Sequence, residues 1–322
     1  MTHQIFLQNE VFIILFSETL LLILNIIAFV GSINILKNWD FNASTQEQYK
    51  LEKLSYLIVL IITISLVFNI FLLPYFAYTI ESLSAIVPGA MCGAGVISAN
   101  EYGNPLLLLK ILILLCSGLW LLLNDEDLKA KEYPYTKIKF WFFTIIFFLV
   151  SFSYLLEIAY FSNVSLERPV SCCSVIFGLS GENSLPLGLG ISTILILFYL
   201  FSLLSMLFIW QKKAFALALS SSLFLFVAYY AVTHFFGTYI YQLPTHICPF
   251  CMLQSDYYYV GYLIWGLLFI SIFFGISNAV LKLLIKKEFK KFYHFTFIYL
   301  GAFIILTSSY VIVYYVKNGV FL

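Results

Sequence analysis

Apolar residues in this chain come in long unbroken runs separated by short polar stretches. A hydrocarbon core of about 30 Å takes roughly 20 mostly apolar residues as a helix. Eight runs reach that length, at 11–36, 54–80, 104–124, 139–161, 188–210, 214–242, 258–281 and 293–316. None shows the period-two alternation of a membrane barrel strand, and a helix closes its own backbone hydrogen bonds as lipid requires. The pattern predicts an all-α integral membrane protein of about eight transmembrane helices, a single polytopic domain over 1–322. No Lys or Arg precedes the first run and no small-residue cleavage site follows it. That run is therefore expected to stay as a helix rather than be removed as a signal peptide.

The short polar stretches set the direction. Lys37, Lys50 and Lys53 follow the first run; Lys129, Lys131, Lys137 and Lys139 the third; Lys212 and Lys213 the fifth; and Lys282, Lys286, Lys287, Lys290 and Lys291 the seventh. With eight spans these stretches share one face, which the positive-inside rule makes cytoplasmic. Both termini are then extracytoplasmic, and the chain is a multi-pass protein of the cytoplasmic (inner) membrane. Three loops remain outside, 81–103, 162–187 and 243–257.

Composition narrows the class further. At 62% hydrophobic and 10% charged residues, with a mean hydropathy of +0.98, the lipid bilayer is the chain's main surroundings. A formal net charge of +1 leaves no electrostatic footprint for nucleic acid. No loop is long enough for a soluble domain, so function belongs to the helices and the outer loops.

Cysteine placement is the most informative feature. Cys92 stands in Met91-Cys92-Gly93-Ala94-Gly95 of the first outer loop, Cys172 and Cys173 are adjacent in the second, and Cys248-Pro249-Phe250-Cys251 fills the third. Only Cys116 lies within a span, where an isolated thiol behaves as a small hydrophobe. Disulfides bracing the loops are one account. Five outer cysteines cannot all pair within one chain, however, adjacent cysteines bond each other only with strain, and a CxxC closes too short a loop to constrain the unfolded chain much. Two further chemistries suit them. In thiol–disulfide exchange one thiolate of a CxxC attacks while the other resolves, helped by the N-terminus of span seven just downstream. In soft-metal binding, Cys92, Cys172, Cys173, Cys248 and Cys251 with Met91, His246 and Met252 form a ligand set suited to copper as Cu(I).

The Cys-Pro-Phe-Cys entering a membrane helix, with another loop cysteine upstream, resembles the vitamin K epoxide reductase family. It is also similar to bacterial membrane oxidoreductases that regenerate disulfide-forming proteins. The resemblance implies that Cys248 and Cys251 face a quinone, while Cys92 with Cys172 or Cys173 passes the disulfide to a thioredoxin-like partner outside. Those families build on four helices, where eight are expected here. The vicinal Cys172-Cys173 resembles bacterial membrane metal-uptake proteins of the mercury type.

Ionisable residues inside spans are costly and mark function by default. Glu18, Lys110, Glu157 and His234 each fall roughly 6–12 Å below the outer surface at about 1.5 Å per residue, which predicts one polar layer under the cysteine loops. An ion pair of Lys110 with Glu157 or Glu18 is the structural reading. The functional one is a pocket for a quinone headgroup or a proton relay, with His234 as carrier. Tyr257, Tyr258, Tyr259 and Tyr262 read as an interfacial aromatic belt. The leading expectation is thus a membrane thiol–disulfide oxidoreductase moving electrons between extracytoplasmic thiols and a quinone. The alternatives are a membrane protein that binds Cu(I) or another soft metal, handing it to a metal-carrying partner, and a structural subunit of a membrane complex.

Overall fold

The computed structural model describes residues 3–41, 43, 45–130, 132–170 and 188–322. Among these there is no strand, and eight helices are long and apolar enough to cross a membrane. They are α1 (Asn9–Asn38), α2 (Gln46–Leu83), α3 (Gly103–Leu128), α4 (Thr136–Ser162), α5 (Ile191–Gln211), α6 (Ala214–Tyr241), α7 (Val260–Ile285) and α8 (Lys290–Asn318). Each contains its predicted run to within a few residues. Most run further at the polar ends, because caps rather than hydropathy stop a helix. Thr45 starts α2 by accepting a hydrogen bond from Gln48 N at 3.3 Å, so α2 carries Lys50 and Lys53 within its first turns.

Large apolar side chains face outward as well as inward, and several small polar ones are buried. Phe71, Leu108, Phe148, Leu155, Ile196, Leu219, Leu283 and Ile305 are exposed, while Asn25, Ser32, Ser65, Ser117, Ser153, Ser205, Ser271 and Asn278 are buried. Lipid tails are as apolar as leucine, so helices associate there through small and polar contacts. Ser65 Oγ donates to Asn25 Oδ1 at 2.9 Å between α1 and α2, and Ser205 and Ser220 hydroxyls meet at 2.7 Å between α5 and α6.

The chain divides into two compact units. The first, Met1–Pro88 with Val96–Pro169, holds α1 to α4. There α1 packs on α2 and α4, and α3 on α2 and α4, around Ile58, Ile62, Trp120, Phe140, Phe143 and Ile146. The α3–α4 turn is closed by a buried ion pair, Lys139 Nζ to Asp127 Oδ2 at 2.5 Å. Asp127 Oδ1 also accepts from Tyr135 N at 2.8 Å, and Lys139 Nζ donates to Asn124 Oδ1 at 3.2 Å.

The second unit, Gly89–Gly95 with Val170–Leu322, holds α5 to α8. Here α7 packs on α6 and α8, and α5 on α6 and α8. Phe198, Phe224, Phe236 and Phe303 interlock at its centre, with ring centroids 5.1 to 6.0 Å apart. The 28 residues of α6 span about 42 Å. Lys212 and Lys213 therefore stand at one end of this helix, and the Cys248–Cys251 loop follows the other.

Candidate functional site

α6 ends where Gln242 turns left-handed, at φ 54°, and α7 begins at Val260. Two short 3-10 turns, Cys251–Leu253 and Ser255–Tyr257, carry the chain between them. Tyr258 and Tyr259 then take left-handed backbone (φ 54° and 56°) to aim it into α7. The CxxC thus sits nine residues before the helix rather than on its first turn. A helix dipole acts through space and fades within one turn, so what bears on Cys251 is the packing of the Cys251–Leu253 turn on Gly261 at the start of α7.

What holds the loop is a set of side chains from both flanking helices. The Tyr241 hydroxyl donates to Cys248 O and accepts from Met252 N, the latter at 3.1 Å. Trp265 Nε1 donates to Pro249 O at 3.2 Å. Met252 is fully buried and lies against Gly261, where a Cβ would stand 2.5 Å from Met252 Cγ and 2.9 Å from its carbonyl carbon. Only glycine lets the Cys251–Leu253 turn settle on the start of α7.

Against this loop lies Gly89–Gly95, which belongs to the same unit. Gln254 Nε2 donates to Met91 O at 3.4 Å. The Sγ atoms of Cys92 and Cys248 are 3.3 Å apart, and those of Cys92, Cys248 and Cys251 all lie within 4.8 Å of one another. Their exposures are 1%, 0% and 7%, so three sulfurs from two chain segments are packed together in the apolar core with Met252, and Phe250 lies against it. Burial pulls the His246 imidazole below its ordinary value, and the neighbouring Cys92 sulfur partly offsets this. Burial, then Cys251, pushes the Tyr257 hydroxyl up. Tyr257 packs on Tyr241 with ring centroids 4.8 Å apart, while Tyr258 and Tyr259 stay exposed. Of the expected metal ligands, the three cysteines form the group; His246 stands beside it, Met252 wedges under the turn, and Met91 is exposed. Cys172 and Cys173 lie outside the described residues. Three sulfurs alone suit a soft ion such as Cu(I) and equally suit disulfide exchange.

The ionisable residues divide between the units. In the first, Lys110 Nζ of α3 lies 2.5 Å from Glu18 Oε1 of α1 and 2.6 Å from Glu157 Oε2 of α4. All three are buried or nearly so, and the Phe76 ring covers the ammonium at 4.8 Å. A cavity of about 20 Å³ beside Glu18 and Lys110 is lined by Asn69, Ser153 and Tyr154; that is space for about one water. In the second unit His234 sits half-buried in a π-helical turn of α6, Val232–Phe236, with its ring 5.9 Å from Tyr230. Sequence reasoning missed Tyr241, Trp265 and Gly261, whose roles arise from a loop folding back on its flanking helices. Comparison with protein-family models, curated proteins and solved structures finds no match for this chain.

Proposed function

We propose that the chain is a membrane thiol–disulfide oxidoreductase that passes electrons from extracytoplasmic thiols to a membrane quinone. The observation that carries this reading is the convergence of Cys92, Cys248 and Cys251 within 4.8 Å. Cys248 is the shared sulfur. A Cys248–Cys251 disulfide is attacked at Cys248 by the Cys92 thiolate; the Cys92–Cys248 bond forms, the Cys248–Cys251 bond breaks, and Cys251 takes up the proton that Cys92 loses. A partner dithiol then reduces the Cys92–Cys248 disulfide and leaves as a disulfide, and the quinone, as second substrate, takes two electrons and two protons from the Cys248 and Cys251 thiols, which re-forms their disulfide and releases quinol. The lysine-bearing helix ends are read as cytoplasmic, which turns the cysteines outward in a cytoplasmic membrane, both termini outside, toward a thioredoxin-like partner.

Thiol trapping of membranes tests this. Blocking the quinone pool is expected to shift Cys248 and Cys251 to the reduced state; an unchanged pattern overturns the reading. A second reading, a Cu(I) or other soft-metal site on the same three sulfurs, is favoured by their burial and mutual reach. Stoichiometric copper on the purified protein, lost in both Cys92→Ser and Cys248→Ser, would decide for it.

A further inference from the structure

We infer that the Glu18–Lys110–Glu157 triad of the first unit is a proton-binding site that holds one exchangeable proton per chain. Two carboxylates share a single ammonium, each with an oxygen within 2.6 Å of Lys110 Nζ. Their acceptor oxygens are therefore about 5 Å apart at most, a range in which like charges strongly disfavour joint ionisation. Fully ionised, the triad would leave one net negative charge buried among apolar helices; with one proton added it is neutral.

A second observation points to the same ligand. Glu157 is fully buried, and its other oxygen, Oε1, has no hydrogen-bond partner among the described residues. A buried carboxylate oxygen without a donor favours the protonated, neutral form of its group. Nearby donors are engaged elsewhere: Tyr154 of α4 pairs with Thr19 at 2.8 Å, Tyr160 donates to Val96 O at 2.8 Å, and Asn69 Nδ2 of α2 donates to Ser65 O at 3.1 Å. The ammonium repels a metal cation from the same place, which leaves the proton as the cation that fits. Glu18, unlike Glu157, borders the water-sized cavity. The proton moves from the Glu157 carboxyl to the Glu18 carboxylate and from there to water, each transfer breaking one O–H bond and forming one. This assignment is independent of the cysteine chemistry.

Infrared spectroscopy of the full chain in lipid at neutral pH tests it. The expected result is a carbonyl band of one protonated carboxyl that shifts on transfer to D₂O. Glu18→Gln and Glu157→Gln should each abolish the band, because the site is then neutral without a proton. Lys110→Gln should strengthen it, because both carboxyls must then be protonated. Absence of the band from the unmodified chain, its survival in both glutamine variants, or its failure to shift in D₂O would overturn the inference. Should Lys110→Gln not fold, the two glutamine variants, which keep the shape of the side chain, still decide.

Discussion

Tyr241 is a hydroxyl on which the cysteine loop depends, and Tyr241→Phe removes that hydroxyl alone. The ring keeps its packing on His246 and Tyr257, at centroid distances of 4.3 and 4.8 Å. Two backbone groups lose their partner, the Cys248 carbonyl and the Met252 N–H. Tyr241, Cys248 and Met252 are all buried, so water cannot replace the hydroxyl without opening the loop. An orphaned buried group costs about 1–3 kcal/mol. Partial relaxation of the pair leaves a total of about 3 kcal/mol, which multiplies the open population on the order of 100-fold. The assay is alkylation of reduced protein in lipid, following Cys251 by mass spectrometry with Cys116 of α3 as internal reference. Cys251 should react on the order of 100-fold faster while Cys116 keeps its rate. Trp265→Phe, which orphans only the Pro249 carbonyl, should give a smaller acceleration. Modification of Cys251 at the original rate in Tyr241→Phe would refute the idea that this hydroxyl fastens the loop.

Three other perturbations have defined outcomes. Gly261→Ala forces a Cβ against Met252 and Leu253; overpacking of this kind costs about 1–3 kcal/mol and should lower the thermal midpoint, whereas Gly266→Ala, in open space, should not. Asp127→Asn strips the buried Lys139 of its countercharge, a loss of about 3–5 kcal/mol, whereas Asp125→Asn in an exposed pair should leave the midpoint nearly unchanged; chemical denaturation compares them. The Tyr293 hydroxyl and then Lys282 hold the Glu288 carboxyl below its ordinary value near 4.5. The folded chain binds that proton less readily than the unfolded one, so this contribution is complete above about 4.5 and is lost as pH falls through the lowered value. Tyr293→Phe should therefore blunt the acid-induced fall in thermal midpoint, and parallel pH profiles would contradict the assignment.

The helices were legible because lipid imposes a strong rule: a long apolar run must satisfy its own backbone. Helix ends were less so, since α2 starts at a Thr45 cap among polar residues that hydropathy scores as loop. The sequence places Cys92, Cys248 and Cys251 in loops between spans, but their convergence rests on a contact 156 residues apart that no local period encodes. Lys110 was expected to pair with Glu157 or Glu18; it bridges both, a three-helix meeting beyond what one-helix depth estimates resolve. His234, which the same depth estimate groups with them, belongs to the second unit and lies beside Tyr230. The CxxC reads as lying just upstream of span seven, and nothing in Cys251 to Tyr259 signals the two 3-10 turns and the pair of left-handed tyrosines between them.

The most direct measurement is disulfide mapping of chains in lipid that keep only Cys92 and Cys248, every other cysteine being serine. Mild oxidation should join the two sulfurs rapidly and nearly completely within single chains. Both residues recovered as thiols under that treatment would contradict the shared cysteine pocket.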